Sequence, residues 1–342
     1  MSSWTPTVVS PVAGAGRVAL GHPLVDDYLE VVRARWRRNT LWATAYDLKV
    51  FFTVVGKDPV EVTVADVLGF IRTQRGAGSG KVVCLADRDG GLALSTVRRR
   101  LSSVSGFYGY LVALGVVEIN PVLRGMAART ASGRVRRGAP LVRQVRRLPQ
   151  VLTPEEVNAL LGGLRRWRDR AMIEAMLLGG LRRSEVLGLR LEDLRSAERR
   201  VFVVDGKGGH QRWVPISARF FTSVSEYLHG ERPADAATDR VFVVLKGPHR
   251  GQPLTAKGLE QIMRDARRRA GLTHGTCHEL RHTCLTRLRE AGMALEAIQA
   301  QAGHRSIEST RVYLHLADGW VAAEYRKAAE AIDAQARVGS GS

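Results

Sequence analysis

Apolar residues recur at helical spacing in four segments of the first third of the chain. A stripe with an apolar residue at every third or fourth position is typical of an amphipathic helix that buries one face. The segments are residues 24–38, residues 41–55, a stretch that follows Thr63, and a stretch from Ser95 to near Gly115. The pattern predicts an all-α domain over residues 22–127.

Residues 1–21 precede the first helical stripe and are rich in Gly, Ala, Pro and Ser. A segment of this composition carries too little apolar surface to offset the conformational entropy that folding costs. We therefore expect residues 1–21 to be disordered.

The pattern changes after residue 150. Thr153 opens a new helix with a proline at its first position and an acidic first turn, both of which favour a helix start. Strands are then predicted at residues 200–204, 212–216 and 241–245, and helices at residues 217–229 and 255–271. The second domain, residues 151–318, is thus predicted to be mainly α with a small β-sheet.

Residues 128–150 join the two domains and lack apolar periodicity. They carry Gly, Pro and a concentration of arginines, which as a solvated charge run would need no partner. Because this linker lies between two basic domains, we favour contact with a nucleic-acid backbone, where arginines neutralise phosphates and release counterions. The candidate DNA-binding residues are Arg134, Arg136, Arg137, Arg143, Arg146 and Arg147.

The last periodic segment, residues 319–336, places its apolar residues on one stripe of a helix, with charged residues elsewhere around it. A helix this short needs a surface to pack on, either in its own domain or on a neighbouring protomer. Residues 337–342 follow as a flexible, Gly- and Ser-rich tail.

Charge and composition narrow the class of partner. The 342 residues carry a formal net charge of +19, and an excess this large favours a polyanion such as nucleic acid. No apolar run approaches the length of a membrane span, and the N-terminus lacks the basic and apolar regions of a signal peptide. Three cysteines are too few for a disulfide framework. We expect a protein of the reducing cytoplasm with no membrane partner.

The candidate chemistry is concentrated between residues 278 and 316. His278 and Arg281 lie three residues apart and share one face of a predicted helix, while His304 and Tyr313 follow the next helix. A tyrosine with arginine and histidine near it suits nucleophilic attack on a phosphodiester. The hydroxyl attacks, and the cations stabilise charge on the phosphoryl oxygens.

This order of residues resembles the end of a tyrosine recombinase, a family also called the phage integrases. The family pattern is His-x-x-Arg, then Gly-His, then a tyrosine nine residues later, and His278, Arg281, His304 and Tyr313 match it without a gap. An earlier block, Gly-Leu-Arg-Arg-Ser-Glu-Val-Leu at residues 180–187, is similar to the family's first arginine motif.

The resemblance implies a two-domain, C-shaped DNA clamp. Residues 22–127 would be its helical core-type DNA-binding domain, residues 151–318 its catalytic domain, and residues 319–336 a C-terminal helix for exchange between protomers. The implied partner is double-stranded DNA with specific recombination sites. The implied assembly is a homo-tetramer on two duplexes, and a monomer or weak dimer off DNA, in the bacterial cytoplasm or nucleoid.

The resemblance also assigns the central roles. Tyr313 would attack a backbone phosphate, form a 3′-phosphotyrosyl link and release a 5′-hydroxyl, while Arg182 and Arg281 clamp the non-bridging oxygens. The 5′-hydroxyl of a partner strand would then attack the link. The bond energy is kept, so that no ATP, metal or other cofactor is implied.

Further residues complete the site that the resemblance implies. His278 would assist proton transfer with the nucleophile, Lys207 would protonate the 5′-oxygen leaving group, and His304 would hydrogen-bond the phosphate. Glu185 and His282 would support these groups without contacting the substrate.

Other functions fit parts of the same sequence, among them a DNA-binding protein without chemistry. A type IB topoisomerase-like enzyme shares the phosphotyrosine chemistry but relaxes supercoils without joining different duplexes. The segment His-Glu-Leu-Arg-His also matches the H-E-x-x-H zinc peptidase signature, with His278 and His282 as ligands and Glu279 as the base. Because so short a pattern is easily matched by chance, we favour the recombinase and predict no metal site.

Overall fold

The computed structural model describes residues 4–7, 18–76, 91–123, 126–129, 135–139, 142, 150–204 and 211–303. The chain divides into two compact units, Met1–Arg146 and Arg147–Ser342. Each unit has a hydrophobic core of its own.

Helices make up most of the described residues between 23 and 113 of the first unit, as the apolar stripes predict. They are α1 (Pro23–Arg35), α2 (Arg38–Val55), α3 (Val64–Arg75) and α4 (Leu94–Ala113). The aromatic rings of Phe51, Phe52, Phe70, Phe107 and Tyr108 are buried and contact one another edge to face. This arrangement suits rings whose faces are negative and whose edges are positive.

Residues 1–21 are not disordered throughout, which corrects the expectation from composition. Trp4 Nε1 donates a hydrogen bond to Leu20 O at 3.1 Å, and the Trp4 and Phe52 ring centroids lie 5.1 Å apart. Val18 and Leu20 are buried in the core of the first unit. A few large apolar residues are enough to anchor these segments, and a Gly- and Ala-rich average conceals them.

A two-stranded ribbon begins at the end of the predicted all-α domain, residues 22–127, and continues into the predicted linker, residues 128–150. β1 (Met126–Arg129) and β2 (Val135–Ala139) pair antiparallel. Neither strand alternates apolar with polar residues, so periodicity does not reveal them. Arg136 and Arg137 belong to β2. The other candidate linker arginines, which lie outside the described residues, are Arg134, Arg143, Arg146 and Arg147.

The described part of the second unit is mainly helical with a small antiparallel sheet of order β3–β4–β5. The strands are β3 (Leu194–Arg195), β4 (Arg200–Val203) and β5 (Arg212–Pro215). The helices are α5 (Pro154–Gly162), α6 (Trp167–Gly179), α7 (Arg183–Gly188), α8 (Ala218–Gly230), α9 (Ala256–Arg269), α10 (Cys277–Glu290) and α11 (Leu295–Ala302). The predicted fold class is confirmed.

Helix α6 is the centre of this unit. Its residues are buried on all sides, among them Met172, Ile173 and Met176, and it packs against α8 and α10. Its buried charged residues are paired, as burial requires, with Arg168 Nη2 2.7 Å from Asp169 Oδ1. The end of α6 at Gly179 therefore brings the residues that follow it to the edge of the core.

The strand predicted at residues 241–245 is wrong. Val241 and Phe242 are buried, but the segment makes only an isolated bridge from Val243 to Pro253. The hydroxyl of Tyr227 donates to Val241 O at 3.0 Å and accepts from Val243 N at 3.2 Å. This side chain thus satisfies two backbone groups, and the other backbone hydrogen bonds of the segment, to Leu189 and to residues 251–254, do not form a regular ladder.

Candidate active site

Glu185 is a buried carboxylate at the centre of the candidate site. It lies in the first turn of α7, and its Oε2 accepts a hydrogen bond at 2.9 Å from the backbone N–H of Arg182, which precedes that helix. A glutamate in this position satisfies an N–H group that the helix leaves unpaired. The local helix start therefore places Glu185 beside Arg182.

The turn into α7 brings the Arg182 side chain to the same point. Gly180 follows α6 with a φ of +65°, and a Cβ there would lie 3.2 Å from Leu285 Cδ2 on α10. Both the left-handed backbone and the neighbouring helix favour glycine. After this turn, Arg182 Nη1 donates to Glu185 Oε1 at 2.7 Å.

Arg281 reaches the site from α10, whose first turn is closed by a capping box between Thr276 and Glu279. Its Nη1 lies 3.9 Å from Glu185 Oε2 and donates to Gly180 O. The Arg281 side chain is only 4% exposed, so its charge requires a partner in the interior. The structure thus brings two of the candidate catalytic residues, Arg182 and Arg281, to one carboxylate.

A third arginine joins this cluster, and sequence analysis did not predict it. Arg212, the first residue of β5, donates from Nη1 to Glu185 Oε1 and from Nη2 to Glu185 Oε2, both at 3.1 Å. A signal was present in the strand, because alternate residues face the same side and Val214 is buried. An arginine on the inward face of a strand needs a carboxylate partner.

The last two carbonyl groups of α11 and the carbonyl group of its cap, Gly303, each accept a hydrogen bond from a different arginine of the cluster. Arg212 Nε donates to the first, Gln301 O, at 3.1 Å. Arg281 Nη2 donates to Ala302 O at 2.7 Å, and Arg182 Nη2 donates to Gly303 O at 3.2 Å. The C-terminus of a helix leaves its carbonyl groups unpaired and carries negative partial charge. These arginines donate hydrogen bonds to the carbonyl groups and bring positive charge to the same end of the helix.

The electrostatics of the site are dominated by three guanidinium groups around one carboxylate. Burial raises the pKa of Glu185, but the hydrogen bonds and charge of Arg212, together with Arg182, outweigh burial and hold that pKa below its usual range. Glu185 is therefore ionised at neutral pH. The cluster keeps an excess of positive charge, which suits an anion such as phosphate.

His278 and His282 form a pair on one face of α10. Their Nε2 atoms lie 2.8 Å apart in a hydrogen bond, and the ring centroids lie 4.2 Å apart. Burial, and then the charge on His278 and on Arg281, lower the pKa of His282 to about 4. Partial burial and Arg281 also lower the pKa of His278. Both rings are therefore neutral near pH 7, and one donates to the other.

The H-E-x-x-H match does not have the arrangement of a zinc peptidase site. The carboxylate of Glu279 accepts hydrogen bonds from the backbone N–H groups of Gly275 and Thr276. It therefore caps the start of the helix, whereas a zinc peptidase would need this carboxylate as its general base. The described residues contain no group of three or more His, Cys, Asp or Glu that could hold a metal.

Three predicted site residues, Lys207, His304 and Tyr313, lie outside the described residues, and their roles stay predictions. The described chain stops at Val204 and resumes at residue 211, and it reaches Gly303. In the part of the chain that the structure covers, no helix is long and apolar enough to cross a membrane.

Sequence comparison places the chain among known proteins. Residues 150–319 match the Phage integrase family. The chain is 35% identical to a tyrosine recombinase XerC of Halalkalibacterium halodurans over 234 residues, 66% of this chain and 72% of that protein. It is 32% identical to a tyrosine recombinase XerC of a Roseiflexus species over 293 residues, 81% of this chain and 83% of that protein.

Solved structures share the fold. A lambda integrase dimer bound to a COC′ core site aligns with a TM-score of 0.63 and 16% identity, over 85% of this chain and 94% of that chain. The Tn1549 transposon integrase in complex with circular intermediate DNA aligns with a TM-score of 0.61 and 20% identity, over 85% of this chain and 94% of that chain.

Fold, arginine cluster and relatives agree on the class of protein, which is a tyrosine-type site-specific recombinase. The identities of 35% and 32% extend over 72% and 83% of the two relatives, so the chain belongs to the tyrosine recombinase family, and its residues 150–319 carry the match to the Phage integrase family.

Proposed function

We propose that the chain cleaves and rejoins DNA at specific sites with Tyr313 as the nucleophile. The Tyr313 hydroxyl attacks a backbone phosphorus, a 3′-phosphotyrosyl bond forms, and the bond from phosphorus to the 5′-oxygen breaks. Attack by the 5′-hydroxyl of a partner strand reverses these bond changes and joins the strands. One phosphodiester is exchanged for another, so the reaction needs no ATP.

The observation that carries this proposal is the convergence of Arg182 and Arg281 on the buried Glu185. With Arg212, the cluster holds more positive than negative charge. Such a site stabilises a phosphate whose oxygens gain negative charge in the transition state, and the planar guanidinium matches phosphate geometry in a way that lysine does not. We assign Arg182 and Arg281 to the non-bridging oxygens.

Protons move at two oxygens in this reaction. His278 has a lowered pKa and is neutral near pH 7, so it can accept the proton of the nucleophile. Lys207 gives a proton to the departing 5′-oxygen, and His304 hydrogen-bonds the phosphate. The assignments of Lys207 and His304 rest on their positions in the family motifs.

The partner that we propose is double-stranded DNA with specific recombination sites. The net charge of +19 supports this partner, and the lambda and Tn1549 integrases are bound to DNA in their structures. We propose that residues 22–127 and the basic linker, residues 128–150, extend the contact along the DNA. We expect a homo-tetramer on two duplexes, and a monomer or weak dimer off DNA, in the bacterial cytoplasm or nucleoid.

Covalent trapping on a nicked suicide duplex tests the proposed chemistry. The duplex carries a recombination site selected from the genomic DNA that flanks the gene, and the nick lets the released strand diffuse away. The wild-type protein should then accumulate a covalent adduct on a denaturing gel. Tyr313→Phe should form no adduct but still shift the DNA in a native gel, and Tyr325→Phe should match the wild type.

An adduct at the wild-type level in Tyr313→Phe would exclude this nucleophile and make Tyr325 the next candidate. A second assay mixes two different duplexes that carry the site. Products joined between the duplexes identify a recombinase, whereas relaxation of a supercoiled plasmid without joined products would identify the topoisomerase-like alternative.

A further inference from the structure

We propose that Arg212 is a positioning residue of the site. Arg212 holds Glu185 and the last turn of α11 together, and so keeps Arg182 and Arg281 in place around the scissile phosphate. The inference rests on the proposed function for its chemistry, but its structural basis is a set of contacts that can be tested without DNA.

The Glu185 carboxylate is held by Arg212 at both of its oxygens. Arg212 Nη1 and Nη2 donate to Oε1 and Oε2 at 3.1 Å, while Arg182 donates to the same oxygens from Nη1 and from its backbone N–H. Two parallel hydrogen bonds from one planar guanidinium fix the plane of a carboxylate. Without Arg212, only Arg182 would orient the plane of the Glu185 carboxylate. Arg182 is itself the residue that Glu185 positions, so neither side chain would be fixed independently.

Arg212 also holds the last turn of α11. Its Nε donates to Gln301 O at 3.1 Å, and the Gln301 side chain donates from Nε2 to Pro215 O at 3.0 Å, at the other end of the same strand. The next two carbonyls accept from Arg281 and Arg182. A shift of this turn would therefore displace an acceptor of each phosphate clamp.

Gly303 shows how close Arg212 lies to α11. Its φ is +61°, and a Cβ there would lie 2.8 Å from Cζ and from Nη1 of Arg212. Moving the guanidinium aside would break its hydrogen bonds to Glu185 and to Gln301 O. The glycine of the Gly-His pair is thus required by the position of Arg212 as well as by its own backbone conformation.

The same side chain connects the hairpin of β4 and β5 to the cluster. Arg212 pairs with Val203, the last residue of β4, and the connection between these two residues contains Lys207. Arg212 therefore links the segment that carries the proposed general acid to the two phosphate clamps. Its side chain is 11% exposed, which suits a role behind the substrate.

The first test measures single-turnover adduct formation and DNA affinity for Arg212→Lys and Arg212→Ala. Lysine keeps the charge but not the fork that binds both carboxylate oxygens. Because a misplacement of about 1 Å costs on the order of 100-fold in rate, both variants should cleave about 100-fold more slowly, with nearly unchanged DNA affinity. The control is Arg200→Ala on the same hairpin, since Arg200 stacks on Trp213 at 4.3 Å. This control should cleave like the wild type.

The pH profile separates positioning from a general loss of structure. The charged groups that face Glu185 are Arg182 beside α7, Arg212 on β5 and Arg281 on α10. Without the bonds from Arg212, burial of Glu185 is less well offset and its pKa rises. Loss of cleavage through protonation of Glu185 should therefore begin at a higher pH in the variants than in the wild type. A protein that is merely less stable would lose active molecules without such a displacement.

A double-mutant cycle tests the contact itself without DNA. Gly303→Ala places a methyl group against the Arg212 guanidinium, and Arg212→Ala removes that obstacle. The loss of stability caused by Gly303→Ala should therefore shrink by roughly half in the Arg212→Ala background, and the remainder reflects the positive φ. Urea unfolding measures all four proteins. If Arg212→Ala does not fold, Arg212→Gln takes its place in every test.

These outcomes are separable from those of the proposed function. If the wild-type protein forms no adduct, the proposed function fails, and the cycle still decides whether Arg212 packs against Gly303. If the wild type cleaves and both Arg212 variants cleave equally fast, or if the two stability effects add, the inference is overturned. Slow cleavage at unchanged affinity, a displaced acid limb and non-additive stabilities support it.

Discussion

Glu185 holds Arg182 at two points, the guanidinium Nη1 at 2.7 Å from Oε1 and the backbone N–H at 2.9 Å from Oε2. The Glu185 side chain has 0% of its surface exposed, and Arg212 and Arg281 approach the same carboxylate. Residues three positions apart on a helix usually form weak surface ion pairs. This pair instead forms the buried centre of the site.

Removing this carboxylate should destabilise the protein. We expect Glu185→Ala to lower the free energy of unfolding by about 3–5 kcal/mol, because it leaves guanidinium groups in the interior without a counter-charge. Glu260→Ala is the control, since Glu260 bonds Arg183 in an exposed pair and should change stability by less than about 1 kcal/mol. Urea unfolding compares the two, and equal losses would contradict the buried role of Glu185.

Stability should decrease below neutral pH because of His282. Its folded-state pKa is lowered to about 4, whereas an unfolded chain titrates near about 6.5. Between these values the unfolded state binds more protons, so the free energy of unfolding rises with pH. His282→Asn should remove on the order of 1–2 kcal/mol of the loss between about pH 6.5 and 4. Urea unfolding at stepped pH measures this, and identical slopes for both proteins would refute it.

Lys207→Ala should slow cleavage strongly, and a 5′-bridging phosphorothioate should restore the rate. A sulfur leaving group needs little protonation, so that a general acid becomes dispensable. Single-turnover adduct formation on the oxygen and sulfur substrates measures the effect. Arg212→Lys, which perturbs the phosphate clamps, should gain less from sulfur. Absence of rescue in Lys207→Ala would mean that this lysine does something else, such as holding a base edge.

Cleavage should survive removal of divalent metal. In the proposed mechanism the arginine cluster supplies at the phosphate the positive charge that a metal would supply, and Glu279 caps the start of α10. Adduct formation after dialysis against EDTA, together with a zinc determination on the purified protein, tests this. Zinc at one per chain, with activity lost on chelation, would restore the metal hypothesis for His278 and His282.

Truncation after Asp318 tests the role of residues 319–336. If this segment docks on a neighbouring protomer, the truncated protein should bind a single DNA site normally but fail in synapsis and recombination. Native gels and a two-duplex joining assay measure these steps. Normal recombination would show that the segment has no such role, and failure to fold would show that it packs on its own domain.

The local sequence determined much of this protein. The helix starts at Thr63 and Thr153 are marked by their caps, and both form capping boxes in the structure. The spacing of His278 and Arg281 places them on one helix. These features depend on hydrogen bonds and side-chain periodicity within one or two turns, so they can be recognised without knowing what lies opposite.

Elements that depend on distant partners were predicted less well. The apolar run at residues 241–245 has the composition of a strand, but the hydroxyl of Tyr227 takes up two of its backbone groups and scattered backbone groups elsewhere take up others. Trp4 lies in a segment of low apolar content, yet it packs on Phe52. Composition and periodicity average over neighbours in sequence, whereas these contacts are made by single side chains across the fold.

The site shows the same division. Family motifs in the sequence identify Arg182, Glu185 and Arg281, but only the tertiary structure decided that Arg212 is their partner and that α11 ends against them. Whether an arginine on a strand meets a carboxylate depends on how the strand packs against distant helices. The other partners of these arginines are backbone carbonyl groups, at Gln301, Ala302 and Gly303. Every residue has such a group, so the sequence cannot mark which of them will bind an arginine.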